Sequence, residues 1–353
     1  MRWILALVVA LIAPAPAPPD GDSFEFFHPS VTVTADQREL LLRGIPIVSL
    51  PDAKSRELVV FSAIALDPQV TDRRAAAWFR DVAALRKSGY LLQMGRFSPT
   101  PRIDDLAALT LDDDDLEDIH DCRPERCGVK LSAAEIAMFR EVIRSAGKNW
   151  KPVVEAAFRR MVLTRIHTYA EKGRLGIGAY CDNPRRRSPA EAFSGLVASS
   201  TFLHQRAPEV VESLLSGCRV AKGDPGEFLY WSKERLNGKA VIGATHVRLF
   251  HGDGRTAPEV LMVGKQIFAT HYFDASLGVT ILARDRATSV PCLLYLNRSE
   301  VDLLGGFWGG FARRLIEGRI RGDGPAVIRE IGRRISAGDP PGDDSLVPTP
   351  PVR

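Results

Sequence analysis

Residues 228–250, FLYWSKERLNGKAVIGATHVRLF, decide the fold. Two β-rich runs, Phe228 to Ser232 and Ala240 to Phe250, flank Asn237-Gly238, a dipeptide suited to tight antiparallel hairpins because both residues tolerate positive φ. His251-Gly252-Asp253-Gly254 makes the next turn, and Leu261 to Asp274 is long enough for one strand. On that strand Leu261, Val263, Lys265, Ile267, Ala269, His271 and Phe273 would share one face, with Met262, Gln266, Phe268, Thr270, Tyr272 and Asp274 on the other. Both faces mix apolar and polar residues, whereas a sheet set between core and water alternates cleanly, so a partly polar interior is expected. Leu277 to Arg284 and Cys292 to Arg298 supply two further strands.

A helix is expected from near Asp302 towards Arg334. It opens on Gly305-Gly306-Phe307-Trp308-Gly309-Gly310. Glycine inside a helix costs about 1 kcal/mol relative to alanine, so four of them imply a close backbone contact or a loop beside a ligand. The spacing also fits small-residue pairing of membrane helices, but Asp302, Arg313 and Arg314 argue against burial in lipid. Gly322-Asp323-Gly324-Pro325 should break the helix before Ala326 to Ile335 resumes it. Residues 337–353, rich in Pro, Gly and Asp, read as a disordered tail.

Upstream, Ser30 to Thr34, Gly44 to Ser49, Glu57 to Leu66 and Tyr90 to Phe97 read as strands, and Thr71 to Lys87 has helical spacing. A helical block follows over about 98–225. Ser132-Ala133-Ala134-Glu135 and Ser188-Pro189-Ala190-Glu191 are capping boxes; helices are expected after each, over Val153 to Glu171 and over Pro208 to Ser216. The acidic run Asp112 to Asp115 lacks the alternating ligands and central glycine of a calcium loop, and reads as a loop or helix N-terminus. No metal-ligand spacing, phosphate loop or nucleophile elbow occurs, so no cofactor, metal or catalytic residue is expected.

The 353 residues, 45% hydrophobic, can build one large domain, expected over 20–336. A net charge of +4, with arginines in short clusters rather than a stripe, argues against nucleic-acid binding. Met1-Arg2-Trp3 followed by the apolar run Ile4 to Ala13 has the form of a secretory signal, too short to span a bilayer. Prolines after Ala13-Pro14-Ala15 and Ala15-Pro16-Ala17 disfavour cleavage, so residues 1–19 are a signal peptide or a retained anchor, and the chain belongs in the periplasm or cell envelope. In that compartment Cys122 and Cys127, enclosing Arg-Pro-Glu-Arg, are expected to pair and fix their loop; a redox-active pair would favour two intervening residues. Cys181 and Cys218 could form a second bond, and Cys292 reads as core.

The order of Glu57 to Asp67, Thr71 to Leu85, Phe228 to Arg298 and the helix after Asp302 resembles the START-related helix-grip superfamily over about half the chain. The resemblance implies an α+β fold in which a curved antiparallel sheet is gripped by a long C-terminal helix, here with a helical insertion. It also implies a hydrophobic or amphipathic small molecule or lipid held between them. Sheet residues expected to line such a pocket are Trp231, His246, Lys265, Phe268, His271, Tyr272 and Tyr295, with the glycine-rich helix start as gate. Two other readings stand beside this one. A hydrolase would use His271 or His246 with Asp274 as orienting carboxylate, and a cell-envelope interaction protein would use the acidic loop and proline tail as contact surfaces.

Overall fold

The computed structural model describes residues 22–176, 178–215, 226–255, 257–306 and 308–342; the leader at 1–19, Cys218, Phe307 and the tail beyond 342 lie outside the described residues. Its strands are β1 (Ile47–Ser49), β2 (Glu57–Ala65), β3 (Leu91–Arg96), β4 (Glu227–Leu236), β5 (Lys239–His251), β6 (Val260–Ala269), β7 (Phe273–Arg284) and β8 (Pro291–Val301). They form one sheet in the order β1-β2-β8-β7-β6-β5-β4-β3, every neighbouring pair antiparallel. The β4–β5 hairpin turns at Asn237 and Gly238, both at positive φ as the dipeptide dictates. The helices are α1 (Ala35–Leu42), α2 (Asp72–Arg80), α3 (Val82–Arg86), α4 (Asp113–His120), α5 (Ala133–Ala146), α6 (Trp150–Lys172), α7 (Pro189–Ala198), α8 (Thr201–Arg206), α9 (Pro208–Leu215) and α10 (Gly309–Ala337). The fold is α+β: a curved antiparallel sheet, a long C-terminal helix against one face, and helices inserted between β3 and β4.

The two faces of the sheet carry separate cores. On one, Val59, Phe61, Leu277, Val279, Leu294 and Leu296 pack against α7, α8, α9 and Phe24, Phe26 and Phe27, while Leu229, Trp231, Ile242 and Ile267 pack against α5 and α6. On the other, Ile64, Leu282, Leu293 and Val260 pack against Trp78 and Phe79 of α2 and Ile328 and Ile335 of α10. The inserted helices therefore cover the back of the sheet, and α10 with α2 and α3 stands on its front. Local signals behave as the sequence dictates at Ser132, whose hydroxyl accepts from the Glu135 amide in a complete capping box, and at Ser188, which caps α7 with Pro189 in its first turn. Cys122 and Cys127 are joined by a disulfide, their α-carbons 4.4 Å apart, as is compatible with export; Cys181 and Cys292 are buried free thiols.

Four expectations change. Ser30 to Thr34 forms no strand; Thr34 instead caps α1 through the Gln37 amide. The helix expected over 71–87 divides at Asp81, which leaves helical geometry and uses its carboxylate to cap α3 at the Ala84 amide. The strand expected over 261–274 ends at Ala269, because Tyr272 adopts φ +64° and reverses the chain into β7. The C-terminal helix begins at Gly309, after a 3₁₀ turn over Asp302–Gly305, and runs unbroken through Gly322–Pro325. Packing overrides the breaker. Ile316 and Ile320 before it and Ile328 and Ile335 after it dock along β2, so leaving the helix at Pro325 would give up one of those contacts.

Two of the four glycines at the start of α10, Gly305 and Gly309, are explained by close approach, whereas Gly306 and Gly310 face open space. A Cβ on Gly309 would lie 2.4 Å from the Leu304 carbonyl oxygen, and one on Gly305 would overlap the Arg56 guanidinium. Seating of α10 depends on its apolar face. Ile335→Ala, at a fully buried position, should cost about 2–5 kcal/mol in urea unfolding, whereas Trp308→Ala, 73% exposed, should stay within about 0.5 kcal/mol.

Candidate binding cup

Antiparallel pairing aligns side chains on the front of the sheet into rows across the strands. Ile64, Leu293, Leu282 and Val260 form an apolar row beneath α2 and the second half of α10. Two residues along, the row reads Ser62, Tyr295, Thr280 and Met262. The next is Val60, Asn297, Gly278 and Gly264, and the next is Leu58, Ser299 and Ser276, with the paired Gln266 and Thr245 continuing on β6 and β5. Over six residues, about 20 Å of strand, the surface changes from apolar to one of hydroxyls and amides.

This surface is partly accessible, although Ser62, Thr280 and Ser299 of the same rows are buried. Tyr295, Asn297, Ser276, Gly278, Gly264, Gln266 and Thr245 are half-buried, while the alternating residues Leu294, Leu296, Leu277, Val279 and Val263 are only 0–2% exposed on the back. The front of these central strands is thus accessible where the back is sealed. α10 forms one wall, packing along Leu58, Val60 and Ile64. α3 forms the other, with Val82 against Phe228, Tyr230 and Val247. The walls meet where the Tyr90 hydroxyl donates to Asp323 of α10 at 2.6 Å and Arg334 donates to the Lys87 carbonyl at 2.6 Å. The result is a cup with an apolar end and a polar end.

The polar rows are internally bonded. Asn297 Nδ2 donates to Ser276 Oγ at 3.0 Å, and Ser299 Oγ lies 2.7 Å from Asn297 Oδ1 and 2.9 Å from Ser276 Oγ. Burial pushes the Tyr295 hydroxyl above its ordinary pKa, opposed by the nearby Arg86 guanidinium and the Asn297 amide. Arg86 of α3 donates to Tyr230 Oη at 2.8 Å and to Glu234 at 2.9 Å. Gly278 faces the Tyr295 ring, where a Cβ would meet Cε2 at 3.6 Å, and a Cβ on Gly264 would meet Thr245 at 3.5 Å.

Of the residues expected to line a pocket, Tyr295 stands in the cup and the others are dispersed. Trp231 is sealed on the back, its indole donating to the Asp105 carbonyl at 2.8 Å. His246, also on the back, lies 2.8 Å from the Tyr169 hydroxyl through Nδ1 and 2.8 Å from Glu227 through Nε2. Lys265 shares that region, its ammonium over the Tyr169 and Phe193 rings at 5.1 and 4.8 Å beside a void of about 10 Å³, room for about one water. Phe268 lies under the Arg165 guanidinium at 5.0 Å and borders a cavity of about 180 Å³ with Ser132, Glu135 and Tyr180. His271 bonds Asp115 of α4 at 2.8 Å, and Tyr272 forms the turn after β6. Asp274 approaches neither imidazole: Lys130 holds one oxygen at 2.8 Å and Arg56 the other at 2.6 Å.

The cup residues missed in the sequence are Thr245, Gln266, Ser276 and Asn297. For Ser276 and Asn297 the signal was present in β7 and β8, where polar or small residues alternate with Leu277, Val279, Leu294 and Leu296. Among the described residues no group of three His, Cys, Asp or Glu side chains is placed to hold a metal ion. The chain matches no protein-family model and no curated protein.

His246 gives the back of the sheet a pH signature. Burial lowers its pKa, and Lys265 and Arg248 push the same way against Glu227, so the unfolded chain takes up a proton that the folded chain resists. Stability is complete above the unfolded value of about 6.5 and falls as pH drops through the lower folded value. His246→Gln should therefore flatten the decline of the urea midpoint just below about pH 6.5. Glu135 and Asp285, whose pKa values lie below the carboxylate norm, act only in the more acidic range.

Proposed function

We propose that the chain is an exported, non-catalytic protein that binds an amphipathic small molecule or lipid in the cup between sheet and C-terminal helix. The observation that carries this reading is the graded front face. A ligand with an apolar tail and a polar head would place the tail against the half-buried Met262, Leu249 and Met94, at the edge of the apolar row, and the head against Asn297, Ser276 and Gln266. Burial of the tail supplies affinity at about 25 cal/mol per Å², and the hydroxyls and amides set the orientation. Export is supported by the leader-like residues 1–19 and the Cys122–Cys127 disulfide. Both histidines of the hydrolase reading lie outside the cup, so its polar groups are assigned to recognition.

Native mass spectrometry of the purified chain should reveal a co-purifying small molecule, and the neutral dye Nile red should bind saturably to delipidated protein. Gly278→Leu, where a Cβ fits but a longer side chain occupies the cup, should abolish dye binding with the fold intact by circular dichroism. Absence of both a co-purifying molecule and dye binding would overturn the reading.

A further inference from the structure

We infer that the head group held in the cup is electrically neutral and bears hydroxyl or amide groups; this rests on the binding reading above. Arg86, Glu234, Arg96 and Glu317, which border the cup, are already engaged. Arg86 is shared between Tyr230 and Glu234, and Glu234 also accepts from Ser232 at 2.7 Å. Arg96 lies 4.0 Å from the centre of the Phe228 ring and donates to the Arg80 carbonyl. On α10, Glu317 is placed between Arg313 and Arg321 at 3.6 and 3.4 Å. A carboxylate or phosphate head would have to take Arg86 from Glu234, leaving that carboxylate facing the new anion; an ammonium head would have to take Glu234 from Arg86. Either exchange leaves a partly desolvated charge without its partner.

Neutral groups meet no such conflict. The open rows offer Tyr295, Asn297, Ser276, Gln266 and Thr245, each able both to donate and to accept. Hydroxyls and amides of this kind can turn from one another to a ligand's hydroxyls without uncovering a charge. Their inward orientation on central strands is fixed by the ladder and does not wait for a ligand.

The test compares three amphiphiles with the same tail, decyl glucoside, decanoate and decyltrimethylammonium, by titration calorimetry on the full chain below their micelle concentrations. Decyl glucoside should bind at least about ten-fold more tightly than either charged analogue, equivalent to roughly 1.4 kcal/mol. Asn297→Leu should erase the preference, and Thr245→Val, which keeps the volume, should reduce it; thermal unfolding checks that both are folded. If decanoate or the ammonium binds as tightly as the glucoside, and Gly278→Leu still blocks it, the neutral-head inference is overturned and the binding reading survives. If the preference persists in both variants, the assignment to these side chains is overturned. If none of the three binds wild-type protein, the binding reading falls and the inference with it.

Discussion

The register of β2, β8, β7 and β6 is the constraint on which the rest depends. Side chains alternate with period two, so a slip of one residue in β7 would turn Leu277, Val279 and Ile281 into the cup and drive Ser276 and Thr280 into the back core. Helices on both faces forbid the slip. The back core sets which residues face inward, and what remains on the front is free to be polar because α2 and the second half of α10 cover only the apolar row, while the first half of α10 stands over β2 at the edge. Irregular pairing at Ala244/Thr245 and Phe273/Ala275 marks where the ladder departs from a regular sheet, in keeping with its curvature.

A second constraint ties the insertion to the sheet. Lys130, 2% exposed, lies between Asp274, Asp302 and Asp182, while Arg56 closes the other side of Asp274. Burial alone would lower the lysine pKa, but the three carboxylates outweigh it and hold the ammonium charged. Such a cluster adds little net stability compared with apolar packing, yet loss of one partner strands a buried charge. Its effect is positional: the Lys130 amide also donates to the Thr270 carbonyl, so the segment leading to α5 has one place to dock at the β6–β7 turn.

Much of the architecture was legible in the sequence, and the exceptions have physical causes. Asn237-Gly238, Ser132 and Ser188 act within a few residues, so their hairpin and caps follow from local chemistry. Pro325 and Gly322 signal a break that tertiary packing overrules. The reversal at Tyr272 carries no glycine and no proline, so 261–274 looked like one strand, and the count of alternating faces loses its basis beyond Ala269. The aromatic and ionisable residues Trp231, His246 and Lys265 drew notice as unusual, but they alternate in step with the back core and find their partners there. The cup residues are serine, threonine, asparagine and glutamine, whose polarity is ordinary in any surface strand and becomes informative only when the strand is known to be central.

The gradient also gives the molecule two poles. The first described residue, Asp22, is held by Arg38, which also grips Asp285 in the turn after β7, beside Leu282 and Leu293 at the apolar end of the cup. The 3₁₀ turn and the start of α10 lie at the other end of the twelve-residue strand β7, about 40 Å away. Anything joined through the residues before Asp22 is therefore attached at the apolar pole, and the polar rows point away from it. If a ligand is held as proposed, one arriving from that side would enter tail last, and the covalent layout of the chain would couple direction of approach to order of entry.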